Sequence, residues 1–148
     1  MLAQTVLMLL VLFGPRSIAG WPGRELPLPG ARRLVGAALI AGGAWLFCAS
    51  LVRLGRRNLT PLPRPRKGAA LVRSGPYRWV RHPIYGGALL AAFGWAMLAG
   101  SWLTLGYVIL LLLYLNLKTR REESWLREVF PEYGEYSRRT RKLIPWVY

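Results

Sequence analysis

The stretch PIYGGALLAAFGWAMLAGSWLTLGYVILLLLYLNL, Pro83–Leu117, runs for 35 positions without a charged residue. Gly100 and Ser101 divide it into Pro83–Ala99 and Ser101–Leu117, each of 17 residues. A helix rises ~1.5 Å per residue, so each half is about 26 Å long. A bilayer core is ~30 Å thick, and the two halves therefore read as a tight hairpin of membrane helices. Working toward the N-terminus, LVGAALIAGGAWLFCASLV, residues 34–52, is a further span. Its Gly36, Gly42 and Gly43 suit close helix–helix contact, although small residues are common in any membrane helix. Met1–Phe13 is apolar but short, and Gly14-Pro15-Arg16 follows it. A first span over about residues 1–20, extending toward Trp21, is expected. The rival is a cleaved signal peptide, for which the basic leader and small-residue cleavage site are lacking.

The remaining composition is explained by the same layout. The 148 residues are 53% hydrophobic yet carry a formal net charge of +15. Disorder is excluded by the apolar content, and a soluble nucleic-acid module by the long uncharged runs, so no nucleic-acid partner is expected. One cysteine, Cys48, excludes an internal disulfide framework, and one histidine, His82, a conventional His-based zinc centre. No metal site is expected. Residues 53–81 hold nine basic residues and no acid, whereas residues 118–148 hold eight basic residues and five Glu. The positive-inside rule places loop 53–82 and tail 118–148 together on the cytoplasmic side. The expectation is one all-α integral membrane domain, 1–148. It has four spans (1–20, 34–52, 83–99, 101–117) and a C-terminal interfacial amphipathic helix. Thr60–Pro65, TPLPRP, reads as an extended connector, because proline lacks a donor and restricts its predecessor.

Two clusters on that cytoplasmic side carry chemistry. The first is GPYRWVRHPIYG, residues 75–86. Pro83 suits the first turn of a helix, which puts His82 at its N-terminus, where unpaired N–H groups favour an anion. With Tyr77, Arg78, Arg81 and Tyr85 alongside, the cluster reads either as a pocket for a carboxylate or ribose, or as an interfacial Arg/Trp/Tyr belt. The second is KTRREESWLREVF, residues 118–130. Helical spacing places Glu122 on the stripe of Trp125, Leu126 and Val129, facing inward, where a bound cation would partner it. Glu123 is expected on the solvated side, paired with Arg127, and Lys118 is placed to pair with Glu122. A snorkelling interfacial helix is the alternative. Beyond Pro131, Tyr133 and Tyr136 share a helical face that could close a pocket. The run Arg138-Arg139-Thr140-Arg141-Lys142 suits anionic lipid headgroups, and Ile144-Pro145-Trp146 reads as an interfacial anchor.

GPYRWVRHPIYGG (Gly75–Gly87), the pair Glu122-Glu123 followed by Leu126, EYGEY (Glu132–Tyr136) before Ile144-Pro145, and LGRRNLTPLP (Leu54–Pro63) occur here in that order. In these motifs, over about its last two-thirds, the chain resembles the isoprenylcysteine carboxyl methyltransferase family and its short bacterial relatives. The resemblance implies a membrane enzyme that uses S-adenosylmethionine. It implies Tyr77, Arg81, His82, Tyr85 and Glu122 on the cofactor side, and Glu122 and Lys118 at the reacting end. Tyr133, Tyr136 and Arg139 would close the pocket or meet substrate. Eukaryotic members carry an arginine about one turn before the Glu pair, where this chain has Lys118. The implied partners are the bilayer, a lipophilic methyl acceptor and anionic lipid, with no obligate protein partner. Arginine used over lysine, with abundant alanine, glycine and leucine, points separately to a bacterium and hence its inner membrane, and the positive-inside rule to a site facing the cytoplasm. Two alternatives stand beside it: a nicotinamide-dependent, sterol-reductase-like membrane enzyme, and a non-enzymatic basic membrane protein that binds anionic lipid.

Overall fold

In the computed structural model the chain is all-helical among the described residues, which are 2–18, 26–58 and 70–144. The helices are α1 (Leu2–Phe13), α2 (Pro29–Asn58), α3 (Pro83–Ala99), α4 (Trp102–Val129) and α5 (Tyr133–Arg139), with a 3₁₀ turn at Gly75–Arg78 before α3. The Thr60–Pro65 connector, the Trp21 end of the first span and the Pro145-Trp146 anchor lie outside the described residues.

Punctuation in the sequence sets the α3–α4 turn. Gly100 has φ 66°, a left-handed conformation that glycine adopts without steric cost, and its N–H returns to Ala96 O at 3.0 Å. Ser101 Oγ then accepts the Thr104 N–H at 3.3 Å, an N-cap for α4. The bounds of α3 coincide with the expected Pro83–Ala99 span. The expected first span does not extend as read: α1 is 12 residues, about 18 Å of helix, and stops at Phe13. Gly14 closes the last turn onto Leu10 O, and Pro15 cannot continue the helix. The tail helix also differs from expectation. Residues 118–129 are not a separate element but the continuation of α4, which is 28 residues long.

Two helices, Pro29–Gly55 and Trp102–Val129, are long and apolar enough to cross a membrane. Only 17% and 28% of their apolar windows are buried. Trp45 and Val52 on α2, and Ile109, Leu110, Leu113 and Leu117 on α4, are exposed, as residues facing lipid would be.

The chain divides into two compact units, Met1–Ala44 with Gly87–Leu115, and Trp45–Gly86 with Asn116–Tyr148. The first has a core that includes Val11, Leu89, Ala96, Val108 and Leu111. Its α2 and α3 approach backbone to backbone. A Cβ on Gly94 would lie 2.5 Å from Gly36 O, and one on Gly43 would lie 2.6 Å from both Ala91 N and Gly87 O. Gly36 and Gly43 thus serve close packing, whereas nothing lies within 4 Å of a Cβ on Gly42. Gly94→Ala is therefore expected to lower stability by about 1–3 kcal/mol through overpacking. Gly42→Ala is expected to be neutral or to gain up to about 1 kcal/mol from helix propensity. Unfolding midpoints in one detergent check the pair, and equal shifts would refute the close contact.

The second unit is built around Leu46, Tyr77, Val80, Tyr133, Tyr136 and Leu143. It contains both clusters singled out in the sequence.

Candidate active site

The site is assembled by two irregular segments that meet beside the start of α3. Gly75, at φ 62°, and Pro76 form the tight 3₁₀ turn, whose Pro76 O accepts the N–H of Trp79 and of Val80, both at 3.2 Å. This delivers Val80, Arg81 and His82 in extended form to Pro83. From the other side the chain leaves α5 at Thr140 in an extended conformation and runs parallel to residues 79–82. Arg141 N–H donates to Trp79 O at 2.9 Å, Arg81 N–H to Arg141 O at 2.8 Å, and His82 N–H to Lys142 O at 3.0 Å. The tail continues over Gly86, where a Cβ would run into Leu143 O. Gly86→Ala is accordingly expected to lift the tail from α3. The readout is faster amide hydrogen exchange at residues 141–143, and exchange equal to the wild type would exclude the contact.

Charged side chains are held inside this frame. Arg81 Nε donates to Glu123 Oε1 at 2.9 Å, and its Nη1 to Ser137 O at 2.8 Å and to Thr140 O. One guanidinium thus ties α3's approach to α4 and to the last carbonyls of α5. His82 sits between the paired carboxylates, with Nε2 3.2 Å from Glu123 Oε1 and Nδ1 3.7 Å from Glu122 Oε2. Only the first is within hydrogen-bond distance, so Nε2 carries the proton that Glu123 accepts. Tyr85 Oη donates to Glu122 Oε1 at 2.8 Å, and its ring lies nearly parallel to that of His82. Lys118 Nζ is 3.7 Å from Glu122 Oε1 and 4.8 Å from the centre of the Tyr85 ring. The tyrosines complete the unit. Tyr136 Oη donates to Tyr77 O at 2.7 Å, and Tyr133 meets Tyr136 edge-on. Burial pushes the hydroxyl of Tyr136 up to about 12, and those of Tyr77 and Tyr133 higher still. All three remain protonated at neutral pH. The Tyr133 hydroxyl is buried without a hydrogen-bond partner.

The structure therefore brings Tyr77, Arg81, His82, Tyr85, Lys118, Glu122, Tyr133 and Tyr136 into one unit, with five differences from expectation. Glu123 is not on the solvated side. It is 8% exposed and holds Arg81 and His82, while its contact with Arg127 is a long 3.8 Å. The apolar stripe that placed Glu122 ends early, since Val129 is 49% exposed. The N–H of His82 does not await an anion, because Lys142 O already accepts it. Arg139 does not join the cluster: it is exposed and pairs with Glu135 at 2.6 Å along α5. Lys142, expected among lipid-binding cations, is instead buried and donates to Asn116 Oδ1 at 2.5 Å and Asn116 O at 3.2 Å. No sequence signal pointed to Asn116 or to the Ser137 and Thr140 carbonyls. For Glu123 a signal existed in the adjacent-carboxylate motif itself.

The phospholipid methyltransferase family model matches residues 31–133, and the chain belongs to that family. The chain is also similar to the cobalt-zinc-cadmium resistance protein CzcN of Cupriavidus metallidurans. That match is 36% identical over 97 residues, 65% of this chain and 45% of the relative. It is 28% identical to the steroid 5-alpha-reductase DET2 of Arabidopsis thaliana over 120 residues, 79% of this chain and 42% of the relative. With a probable protein-S-isoprenylcysteine O-methyltransferase of Oryza sativa it shares 33% identity over 79 residues, 52% of this chain and 41% of the relative. The chain thus spans about half the length, or less, of the curated relatives it matches.

Proposed function

We propose that the chain is a membrane methyltransferase that uses S-adenosylmethionine and acts on a lipophilic acceptor reaching it from the bilayer. The observation that carries the reading is the charge balance of the cluster. Among the mostly buried side chains Arg81 and Lys118 pair with Glu123 and Glu122, while Arg127, also near Glu123, is 59% exposed, and Tyr85 and Tyr133 add neutral hydroxyls. A balanced set suits the zwitterionic amino-acid end of S-adenosylmethionine, whose ammonium would meet Glu122 and whose carboxylate would meet Lys118. A dinucleotide phosphate would call for a clear excess of cations. The cofactor, when bound, supplies an electrophilic methyl group on a sulfonium.

The rest falls to the chain's own residues. Arg81 and Glu123 are committed to each other and to the α5 carbonyls, so they act as positioning residues that fix His82 and the tail. Glu122 meets Lys118 and His82 only at 3.7 Å, longer than the Arg81–Glu123 pair at 2.9 Å, and is the carboxylate better placed to meet a ligand. A carboxylate or thiolate acceptor needs no base, and catalysis comes from alignment and exclusion of water. An amine acceptor would lose a proton, for which Glu122 is the nearest acceptor. Four membrane crossings, with α1 and α3 completing the two longer helices, and a cytoplasmic site in a bacterial inner membrane belong to the same reading. The expected tail-bound anionic lipid rests on the exposed Arg138, Arg139 and Arg141.

The similarity to DET2 favours a second reading, a nicotinamide-dependent reductase. Calorimetry on the purified full chain separates the two. Binding of S-adenosylmethionine or S-adenosylhomocysteine, together with transfer of a labelled methyl group into a lipid extract, is expected. Binding of reduced nicotinamide dinucleotide phosphate alone would replace this reading with the other.

A further inference from the structure

The first unit contains a second polar cluster that the methyltransferase reading does not use. It gathers around Gly100-Ser101, at the C-terminal end of α3. Arg32 is 9% exposed, and its guanidinium lies so close over Gly100 that no side chain would fit there. Its Nη1 donates to Leu26 O at 3.2 Å, but its Nε is buried without a partner. Ser101 Oγ donates to Arg16 O at 2.7 Å, and the Arg16 guanidinium stands 5.9 Å from the centre of the Trp95 ring. The indole N–H of Trp95 is also buried without a partner.

Every side-chain group in this cluster except the Ser101 hydroxyl is a donor only. Across positions 1–44 and 87–115 the sequence has four arginines, Arg16, Arg24, Arg32 and Arg33, against the single acid Glu25, which lies outside the described residues. Of the three that are described, Arg32 is buried while Arg16 and Arg33 are exposed, and no carboxylate lies among the described residues of these positions. Arginine does not escape burial by losing its proton, and a buried charge without a counter-charge is strongly disfavoured. The C-terminal dipole of α3 attracts Arg32 but leaves the Arg32 Nε and the Trp95 N–H unpaired. An oxyanion admitted beside Gly100-Ser101 would give the Arg32 Nε an acceptor and the arginines a counter-charge.

We propose that Arg16, Arg32 and Trp95 form a binding site for a phosphate group, separate from the Glu122–His82 cluster and independent of the methyl-transfer reading. The guanidinium fork matches phosphate geometry. Basic pockets between membrane helices hold lipid phosphates in the same way, and free phosphate offers the same oxygens.

The test uses the full chain, delipidated in a neutral detergent, with Arg16→Gln and Trp95→Phe as variants that leave the buried Arg32 in place. Phosphatidylglycerol, diacylglycerol and inorganic phosphate are added separately. Thermal midpoints are recorded, and bound lipids are counted by native mass spectrometry. The wild type is expected to retain one more phosphatidylglycerol than either variant, with about tenfold weaker retention in the variants and no response to diacylglycerol. Stabilisation of the wild type alone by inorganic phosphate would also support the site and assign it to a free ion. Equal lipid counts and equal midpoints in all three proteins, with every probe, would overturn the proposal.

Discussion

Alanine at Arg81 is expected to cost the folded chain about 3–5 kcal/mol, the usual consequence of removing one partner of a buried ion pair. The side chains of Arg81 and Glu123 are 14% and 10% exposed, and the guanidinium serves three acceptors on two elements. Its loss takes the charged partner from Glu123 and the Arg81 donor from the Ser137 and Thr140 carbonyls. Arg127 gives the internal comparison. It also approaches Glu123 but is 59% exposed at 3.8 Å, and Arg127→Ala is expected to cost less than about 0.5 kcal/mol. Denaturant unfolding in mixed micelles measures both. In Arg81→Ala/Glu123→Ala the losses are expected to be well below additive, because the two residues act on each other. Similar costs for Arg81→Ala and Arg127→Ala would mean that no such clamp exists.

The second large effect belongs to ligand binding. On the proposed methyltransferase reading, Glu122→Gln is expected to weaken S-adenosylhomocysteine binding by about 2 kcal/mol, or roughly thirtyfold, through loss of a charge-assisted contact to the ligand ammonium. Glutamine still accepts from Tyr85 and gives up only the long 3.7 Å pair with Lys118, so the unfolding midpoint should move less than in Arg81→Ala. Tyr85→Phe removes a neutral hydrogen bond, and about 1 kcal/mol, or fivefold, is expected. The contrast with Arg81 is the point of the measurement. Glu122 variants should lose affinity with stability kept, whereas Arg81 variants should lose stability first. Wild-type affinity in Glu122→Gln would remove Glu122 from the site while leaving the fold and the Arg81 clamp untouched.

What was legible in the sequence follows from the range of the interaction involved. Helix α3 could be bounded because Pro83 and Gly100 act within a turn of themselves. The meeting of residues 75–86 with residues 118–136 was also legible, since an uncharged hairpin of two equal halves returns the chain to where it started. The choice between Glu122 and Glu123 was not. An amphipathic stripe of Trp125, Leu126 and Val129 ranks faces by apolar content, but Glu123 is turned inward by Arg81, 42 residues away. Lys142 is similar: within a basic run nothing marks it as the one cation that meets Asn116, 26 residues earlier. Backbone carbonyls are the least visible, because every residue has one and only geometry selects those of Ser137 and Thr140.

The parallel pairing of residues 79–82 with residues 141–142 also constrains how the protein is made. On the proposed membrane topology, the helices through Leu117 can leave the ribosome and enter the bilayer before Arg81 has any of its acceptors, the last of which, Thr140, lies 59 residues downstream. Until then Arg81 and His82 must be kept hydrated at the interface. Helix insertion and completion of the polar cluster are thus separate events in time, with the second post-insertional and limited by a long loop closure. A chain stalled before residue 140 would be inserted yet lack the closed cluster. Quality control that surveys only the membrane helices would pass it.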